Sequence, residues 1–166
     1  MRTAYSESGR HQRRPTALVT GATSGIGLAV TRDLATDHDL ILLARTATDL
    51  DELASVLGED SGAGVRTCAV DLTDDEALAA ADVLVNSAGV ESSGPVEELS
   101  PTRWRDVLDL DLVSVAHLTG LLLPALRQAR GLVVMINSGA GLRARPGQAL
   151  YCAAKAGLRA LTDVLR

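Results

Sequence analysis

Short apolar runs punctuate the chain at positions 17–20, 40–44, 65–70, 83–86 and 132–137. They are rich in valine, leucine and isoleucine and lack alternation of apolar with polar residues. A strand with one face in water alternates, whereas a strand covered by helices on both faces reads as a continuous apolar run. The five runs are therefore predicted as buried strands. Helical periodicity fills the gaps at 25–36, 48–57, 73–81, 100–130 and 150–166. Ser100 stands where a helix cap belongs and Pro101 fits the first turn that follows. Pro124 should bend or break the same helix, because it has no N–H to donate. Residues 58–64, Gly-Glu-Asp-Ser-Gly-Ala-Gly, read as a loop by their turn chemistry.

Five strand–helix alternations imply an α/β fold: a doubly wound parallel sheet with right-handed crossovers, layered helix–sheet–helix. The 166 residues suffice for one such domain, 15–166, with no repeat and no interdomain linker. Residues 1–14 have no apolar periodicity, carry Arg2, Arg10, Arg13 and Arg14, and are expected to form a flexible arm. Only twelve residues separate Val70 from Val83. That is close to the minimum for a parallel crossover, so its helix has room for little more than two turns.

Composition narrows the function classes. Hydrophobic residues at 46% and charged residues at 22% are ordinary for a packed domain. A net charge of −5 argues against binding a phosphate backbone, and 2% aromatics without phenylalanine supply no platform for stacking bases. No uninterrupted apolar stretch nears the ~20 residues of a membrane span, and the polar, basic start does not read as a secretory signal. Cys68 and Cys152 are far apart without metal-ligand spacing, and His11, His38 and His117 are scattered. The expectation is a cytoplasmic protein without metal, membrane or nucleic acid.

The first run is followed by Thr20-Gly21-Ala22-Thr23-Ser24-Gly25-Ile26-Gly27 and then a helix. A strand, a glycine loop and a helix in that order suit a dinucleotide. Gly21 permits a tight turn, Gly25 lets backbone approach a pyrophosphate, and Gly27 allows close helix packing. The phosphates would rest at a helix N-terminus, where unpaired N–H groups and the dipole favour an anion. In a doubly wound sheet the residue closing the second strand faces the adenosine ribose. An acidic residue there suits the 2′-hydroxyl of NAD, but this chain has Ala44 and then Arg45. A guanidinium suits a 2′-phosphate, which predicts a preference for NADP(H), helped by Ser24 or Thr46. The competing account of Arg45 is a surface residue at a strand end.

Further motifs accompany the loop. Asn86-Ser87-Ala88-Gly89 ends the fourth run, Ser138 follows the fifth, and Tyr151-Cys152-Ala153-Ala154-Lys155 opens the last helix, thirteen residues beyond Ser138. Together these features resemble the short-chain dehydrogenase/reductase family, in its TGxxxGxG, NNAG and YxxxK motifs, from Pro15 to Arg166. The resemblance implies a Rossmann-like sheet in the order 3-2-1-4-5. It also implies that Gly21, Thr23, Ser24, Gly25, Ile26 and Gly27 cradle the cofactor phosphates. Asp71, with Leu72 beside it, matches the aspartate that bonds the adenine amine, although it equally suits a cap for the helix at 73. Asn86, Ala88 and Gly89 would lie against the adenosine ribose.

Tyr151 and Lys155, four apart, share a helix face. A phenol is a poor base near neutrality, and a neighbouring ammonium favours its phenolate. Such a tyrosine can accept a proton from an alcohol or donate one to a carbonyl. By resemblance Lys155 would also hold the nicotinamide ribose hydroxyls and Ser138 the substrate oxygen. The family's helix asparagine falls on Asp111. An ionised carboxylate only accepts hydrogen bonds, and it competes for the charge of Lys155. Relatives also continue into a sixth strand, a proline–glycine loop, a substrate-covering lobe and a seventh strand. The expectation is a domain incomplete at its C-terminus, lacking the family's last two strands and leaving the fifth strand's far edge open.

The resulting expectation is an NADP-dependent oxidoreductase interconverting a ketone or aldehyde with an alcohol. The alternative is a nucleotide-binding or interaction module with little turnover. Val107, Leu108, Leu112, Val115, Leu118, Leu122 and Leu126 give the fourth helix a broad apolar surface. That breadth fits core plus a homodimer or homotetramer interface through the long helices, or core alone.

Overall fold

A computed structural model describes residues 13–69 and 81–166. Its strands are β1 (Thr16–Thr20), β2 (Asp39–Ala44), β3 (Val65–Ala69), β4 (Val83–Asn86) and β5 (Leu132–Met135). All pair in parallel, in the order β3-β2-β1-β4-β5. The helices are α1 (Gly25–Leu34), α2 (Ala47–Ser61), the long α3 (Pro101–Ala129) and α4 (Ala149–Val164). Residues 1–12, Val70, Asp71, Leu72 and most of the short helix expected at 73–81 lie outside the described residues.

The unbroken apolarity has the expected cause in the central strands β1, β2 and β4, whereas β3 and β5, expected to be buried, lie at the sheet edges and are only partly buried. Every residue of β1 is buried, and successive side chains enter different cores. Ala17 and Val19 join Leu40, Leu42, Leu50 and Leu57 beneath α1 and α2. Leu18 joins Ile41, Leu84, Leu118, Leu122 and Leu126 beneath α3. Each such leucine or valine contributes roughly 1.5–3 kcal/mol by leaving water. The three layers follow.

Several boundaries differ from the sequence expectations. Positions 58–61, expected in a loop, are the last turn of α2. A glycine within a helix costs only about 1 kcal/mol, which the packing of Leu50, Leu53 and Leu57 outweighs. The stop comes at Gly62, whose φ of 65° ends the helix and whose N–H donates to Gly58 O at 3.2 Å. β5 ends at Met135, although the N–H of Ile136 still donates to Asn86 O at 2.9 Å. Arg13 and Arg14, assigned to the arm, are held in place. Arg13 pairs with Asp82 at 3.0 Å, and Arg14 donates to Ala35 O at 2.8 Å and Ser61 O at 3.5 Å, at the ends of α1 and α2.

Ser100 caps α3 as expected, its Oγ accepting the Arg103 N–H at 3.1 Å. Pro124 does not break α3, which runs through it. Its turn faces solvent, so the carbonyl deprived of a donor can be hydrated. The irregularity lies elsewhere, in a π-helical turn at Asp109–Val113. By length and composition α3 is apolar enough to cross a membrane. Its Leu118, Leu122 and Leu126 instead pack under the sheet, and its Asp111 pairs with α4, so it is a core helix.

Candidate active site

The C-terminal ends of β1, β2 and β4 converge on a cleft of about 410 Å³, floored by Thr20, Gly21, Leu43 and Asn86. Its size falls within the roughly 300–1,000 Å³ of small-molecule sites. The loop after β1 is folded by its glycines. Gly21 has φ of 65°, its N–H donates to Leu43 O at 2.8 Å, and an added Cβ would lie 2.9 Å from Ala88 Cα. A Cβ on Gly27 would lie 2.2 Å from Gly21 O. Gly27 thus lets α1 close on the loop itself. Thr20 joins the two halves of the floor, its Oγ1 accepting the N–H groups of Ser87 and Ala88, each at 3.0 Å.

Of the residues expected at a cofactor, Gly21, Thr23, Ser24, Arg45, Asn86, Ala88 and Gly89 border this cleft. Gly25 and Ile26 are exposed at the start of α1, outside its lining, and Gly27 is buried behind the loop. Asp71 and Leu72 lie outside the described residues. Asn86 turns its amide inward: Nδ2 donates to Thr119 Oγ1 at 3.1 Å and Met135 Sδ at 3.3 Å. That donor ties β4 to α3 and β5, so it is already engaged before any ribose arrives. The Asn86 Oδ1 is buried and has no partner among the described residues.

Thr20, Asp49, Val90, Leu110, Ser114, Val115 and Leu118 also border the cleft and were not anticipated as site residues. Leu110, Ser114 and Leu118 recur at four-residue steps, a stripe that would have shown one face of α3 turned toward the site. Asp49 had no such signal.

The second half of the site begins at Gly89. A Cβ there would lie 3.0 Å from Asp111 Oδ2 and 3.2 Å from Lys155 Nζ. A side chain there would crowd both groups, and a glycine lets the cleft wall run close to them. Lys155 Nζ and Asp111 Oδ2 are 3.2 Å apart, with side chains 7% and 0% exposed. Asp111 Oδ1 accepts the Val90 N–H at 2.8 Å. Asp111 makes both contacts from within the π turn, where it is the buried residue. On the next turn of α4 towards its start, the ring of Tyr151 has Lys155 Nζ 5.6 Å from its centroid. A cation at that distance over a ring is attracted to its face.

Ser138 caps the short turn Gly139–Gly141, its Oγ accepting the Ala140 N–H at 3.2 Å. That turn packs on α4 so tightly that a Cβ on Gly141 would lie 2.6 Å from Lys155 O. The fold therefore gathers Tyr151, Lys155 and Asp111 from α4 and α3, and packs the turn that Ser138 caps against α4. The residues present suit a nucleotide: Gly21, Thr23 and Ser24 of the loop border the cleft, and Arg45 beside them has no acidic partner among the described residues.

Comparison with known proteins agrees with this architecture. Residues 15–166 match the short chain dehydrogenase family. The chain is 32% identical over 154 residues to a 3-oxoacyl-acyl-carrier-protein reductase of Haemophilus influenzae, covering 86% of this chain and 62% of that protein. It is 32% identical over 163 residues to a D-beta-hydroxybutyrate dehydrogenase of Cupriavidus necator, covering 90% and 62%. A short-chain dehydrogenase from Sphingobium yanoikuyae, solved in complex with NADPH, superposes with a TM-score of 0.83 at 32% identity, covering 91% of this chain and 64% of that one. The chain belongs to the short-chain dehydrogenase/reductase family of oxidoreductases. It spans 62% of the length of these curated relatives.

Proposed function

We propose that the protein is an NADP(H)-dependent oxidoreductase interconverting a ketone or aldehyde with an alcohol, with Tyr151 as general acid and base. The reading rests on one observation: the cleft that starts at the glycine loop ends at Gly89, against Lys155 and Asp111, one helical turn from Tyr151. The cofactor supplies hydride transfer, and the protein's share is alignment and proton exchange. Gly21, Thr23, Ser24 and the amino end of α1 hold the phosphates, with Gly25 and Ile26 in its first turn and Gly27 allowing the close approach. Arg45 meets the 2′-phosphate through charge-assisted bonds. The solved relative with bound NADPH and an alcohol dehydrogenase of Thermococcus sibiricus with 5-hydroxy-NADP favour the same cofactor. Ala88 and Gly89 leave room for the adenosine ribose beside the Asn86 backbone, and Asp71 with Leu72 completes the adenine side.

At the reacting end the Ser138 hydroxyl donates to the substrate oxygen and steadies charge developing there. Tyr151 gives its phenolic proton to that oxygen during reduction and takes it back during oxidation. Lys155, fixed by Asp111, keeps a positive charge beside the ring and reaches the nicotinamide ribose. The proposal extends to a cytoplasmic homodimer or homotetramer through the long helices, where Val113 and Leu121 of α3 and Val164 of α4 are exposed.

A second reading, a nucleotide-binding module with little turnover, is favoured by the carboxylate of Asp111 engaging the Lys155 ammonium. Titration with NADPH, followed by a carbonyl panel on wild type and Tyr151→Phe, separates the two. The enzyme reading expects saturable NADPH binding, and oxidation that falls about 10²–10⁴-fold in the variant. Binding without Tyr151-dependent oxidation selects the module, and absence of binding overturns both.

A further inference from the structure

The loop after β4 is tied to α3 and α4 at successive residues. Gly89 runs against Asp111 and Lys155, the Val90 N–H donates to Asp111 Oδ1 at 2.8 Å, and the Gly94 N–H donates to Gly147 O at 2.8 Å. Between these ties, Glu91 Oε1 accepts from Gln148 Nε2 at 2.8 Å, joining positions 57 residues apart. Gln148 is the N-cap of α4. Its carbonyl accepts the Cys152 N–H at 2.8 Å, the bond that closes the first turn, and Tyr151 stands inside that turn. Cap side chains such as serine or aspartate bond the free N–H groups of a first turn. The side chain of Gln148 makes no such bond and reaches across to the other loop instead. Its Oε1 is buried and has no partner among the described residues. An amide oxygen left in that state costs free energy, and a charge-assisted bond from the same amide to a carboxylate offsets it.

We infer that Gln148 and Glu91 are positioning residues for Tyr151: their bond fixes the entry of α4 against the loop that carries Gly89, and so sets the phenol relative to Lys155 and the cofactor cleft. The inference rests on the proposed function and adds a pair that acts through the helix rather than on the reacting atoms. The Gly94–Gly147 bond ties the backbones of the same two loops, whereas the Gln148–Glu91 bond is made by the cap residue itself. A misplacement of about 1 Å in a reacting group costs on the order of 100-fold in rate. A helix entry that loses one of its two ties shifts by less, which makes a loss of about ten-fold the expected scale.

The test measures NADPH oxidation over the carbonyl panel, with ethyl 3-oxobutanoate and cyclohexanone in it, for wild type and four variants. Gln148→Leu keeps much of the side-chain volume and loses the bond. Its kcat should fall about ten-fold, with KM and the NADPH dissociation constant within about two-fold of wild type. Glu91→Gln keeps an acceptor oxygen and should lose no more than about three-fold. Gln148→Glu sets two carboxylates face to face and should lose about ten-fold or more. Adding Glu91→Gln to Gln148→Glu rebuilds the bond with donor and acceptor exchanged, and should return kcat to within about three-fold of wild type. A residue at 148 acting on the substrate directly would gain nothing from that second change. Unchanged kcat in Gln148→Leu, a double variant no faster than Gln148→Glu, or losses that fall on NADPH affinity rather than kcat, each overturns this inference and leaves the functional reading standing. No Tyr151-dependent oxidation by wild type with any member of the panel overturns both.

Discussion

Replacing Asp111 by asparagine isolates the charge at the centre of the site. The substituted amide still offers an oxygen to the Val90 N–H, so the 2.8 Å bond is retained. What is lost is the carboxylate 3.2 Å from Lys155 Nζ, in a pair almost without solvent contact. At an effective dielectric of about 20 that attraction is about 5 kcal/mol. Removing both ions from water costs several kcal/mol each, so the intact pair contributes little net stability. Severing it is different, because the ammonium stays buried alone, at a cost of roughly 3–5 kcal/mol. With the Val90 bond preserved, the lower end applies, about 3 kcal/mol. For a domain of this size that corresponds to a fall in Tm of about 6–12 °C, measurable by calorimetry or circular dichroism. Lys155→Met in the same chain should recover most of the loss, giving strong coupling in a double-mutant cycle. Turnover of Asp111→Asn should move the other way and rise, because Lys155 no longer shares its charge with a carboxylate. A Tm within about 2 °C of wild type, or additive effects of the two substitutions, would refute the energetic argument. Unchanged or lower turnover would refute the catalytic one.

Three further outcomes are expected. Arg45→Ala should weaken NADPH binding about ten-fold or more while leaving NADH binding nearly unchanged, and the difference should shrink as salt is added; tighter NAD binding by wild type throughout would reject the assignment. Gly27→Ala places a Cβ 2.2 Å from Gly21 O, so the loop must shift; titration should show NADPH affinity falling at least ten-fold, with Tm lowered by several degrees. Arg14→Ala removes the donor shared by Ala35 O and Ser61 O; a loss of about 1–2 kcal/mol in urea unfolding, with NADPH affinity unchanged, would place that residue in the scaffold alone.

The central strands were legible because burial on both faces imposes a continuous apolar run, and 83–86 matches β4 at both ends. The end of α2 was not, because Gly58 and Gly62 look alike in sequence. Only the left-handed backbone at Gly62 distinguishes the stop from a tolerated interior glycine. Among site residues, spacing put Tyr151 and Lys155 on one face of α4, and the loop glycines declared themselves by position. The ion partner of Lys155 was visible only as a departure from the family's asparagine. That Asp111 is buried and touches Lys155 depends on a π turn, which has no periodic signature of its own.

That turn sets the phase between the two halves of α3. Before it, Val107 is aimed at Leu150 and Ala154 of α4; after it, Leu118, Leu122 and Leu126 are aimed at the sheet. A regular helix advances about 100° per residue, so shortening Asp109–Val113 by one position would swing one half away from its partner by about that angle. The surplus residue acts as a fixed offset between two gears: without it, the same rod could mesh with the sheet or with α4, but not with both.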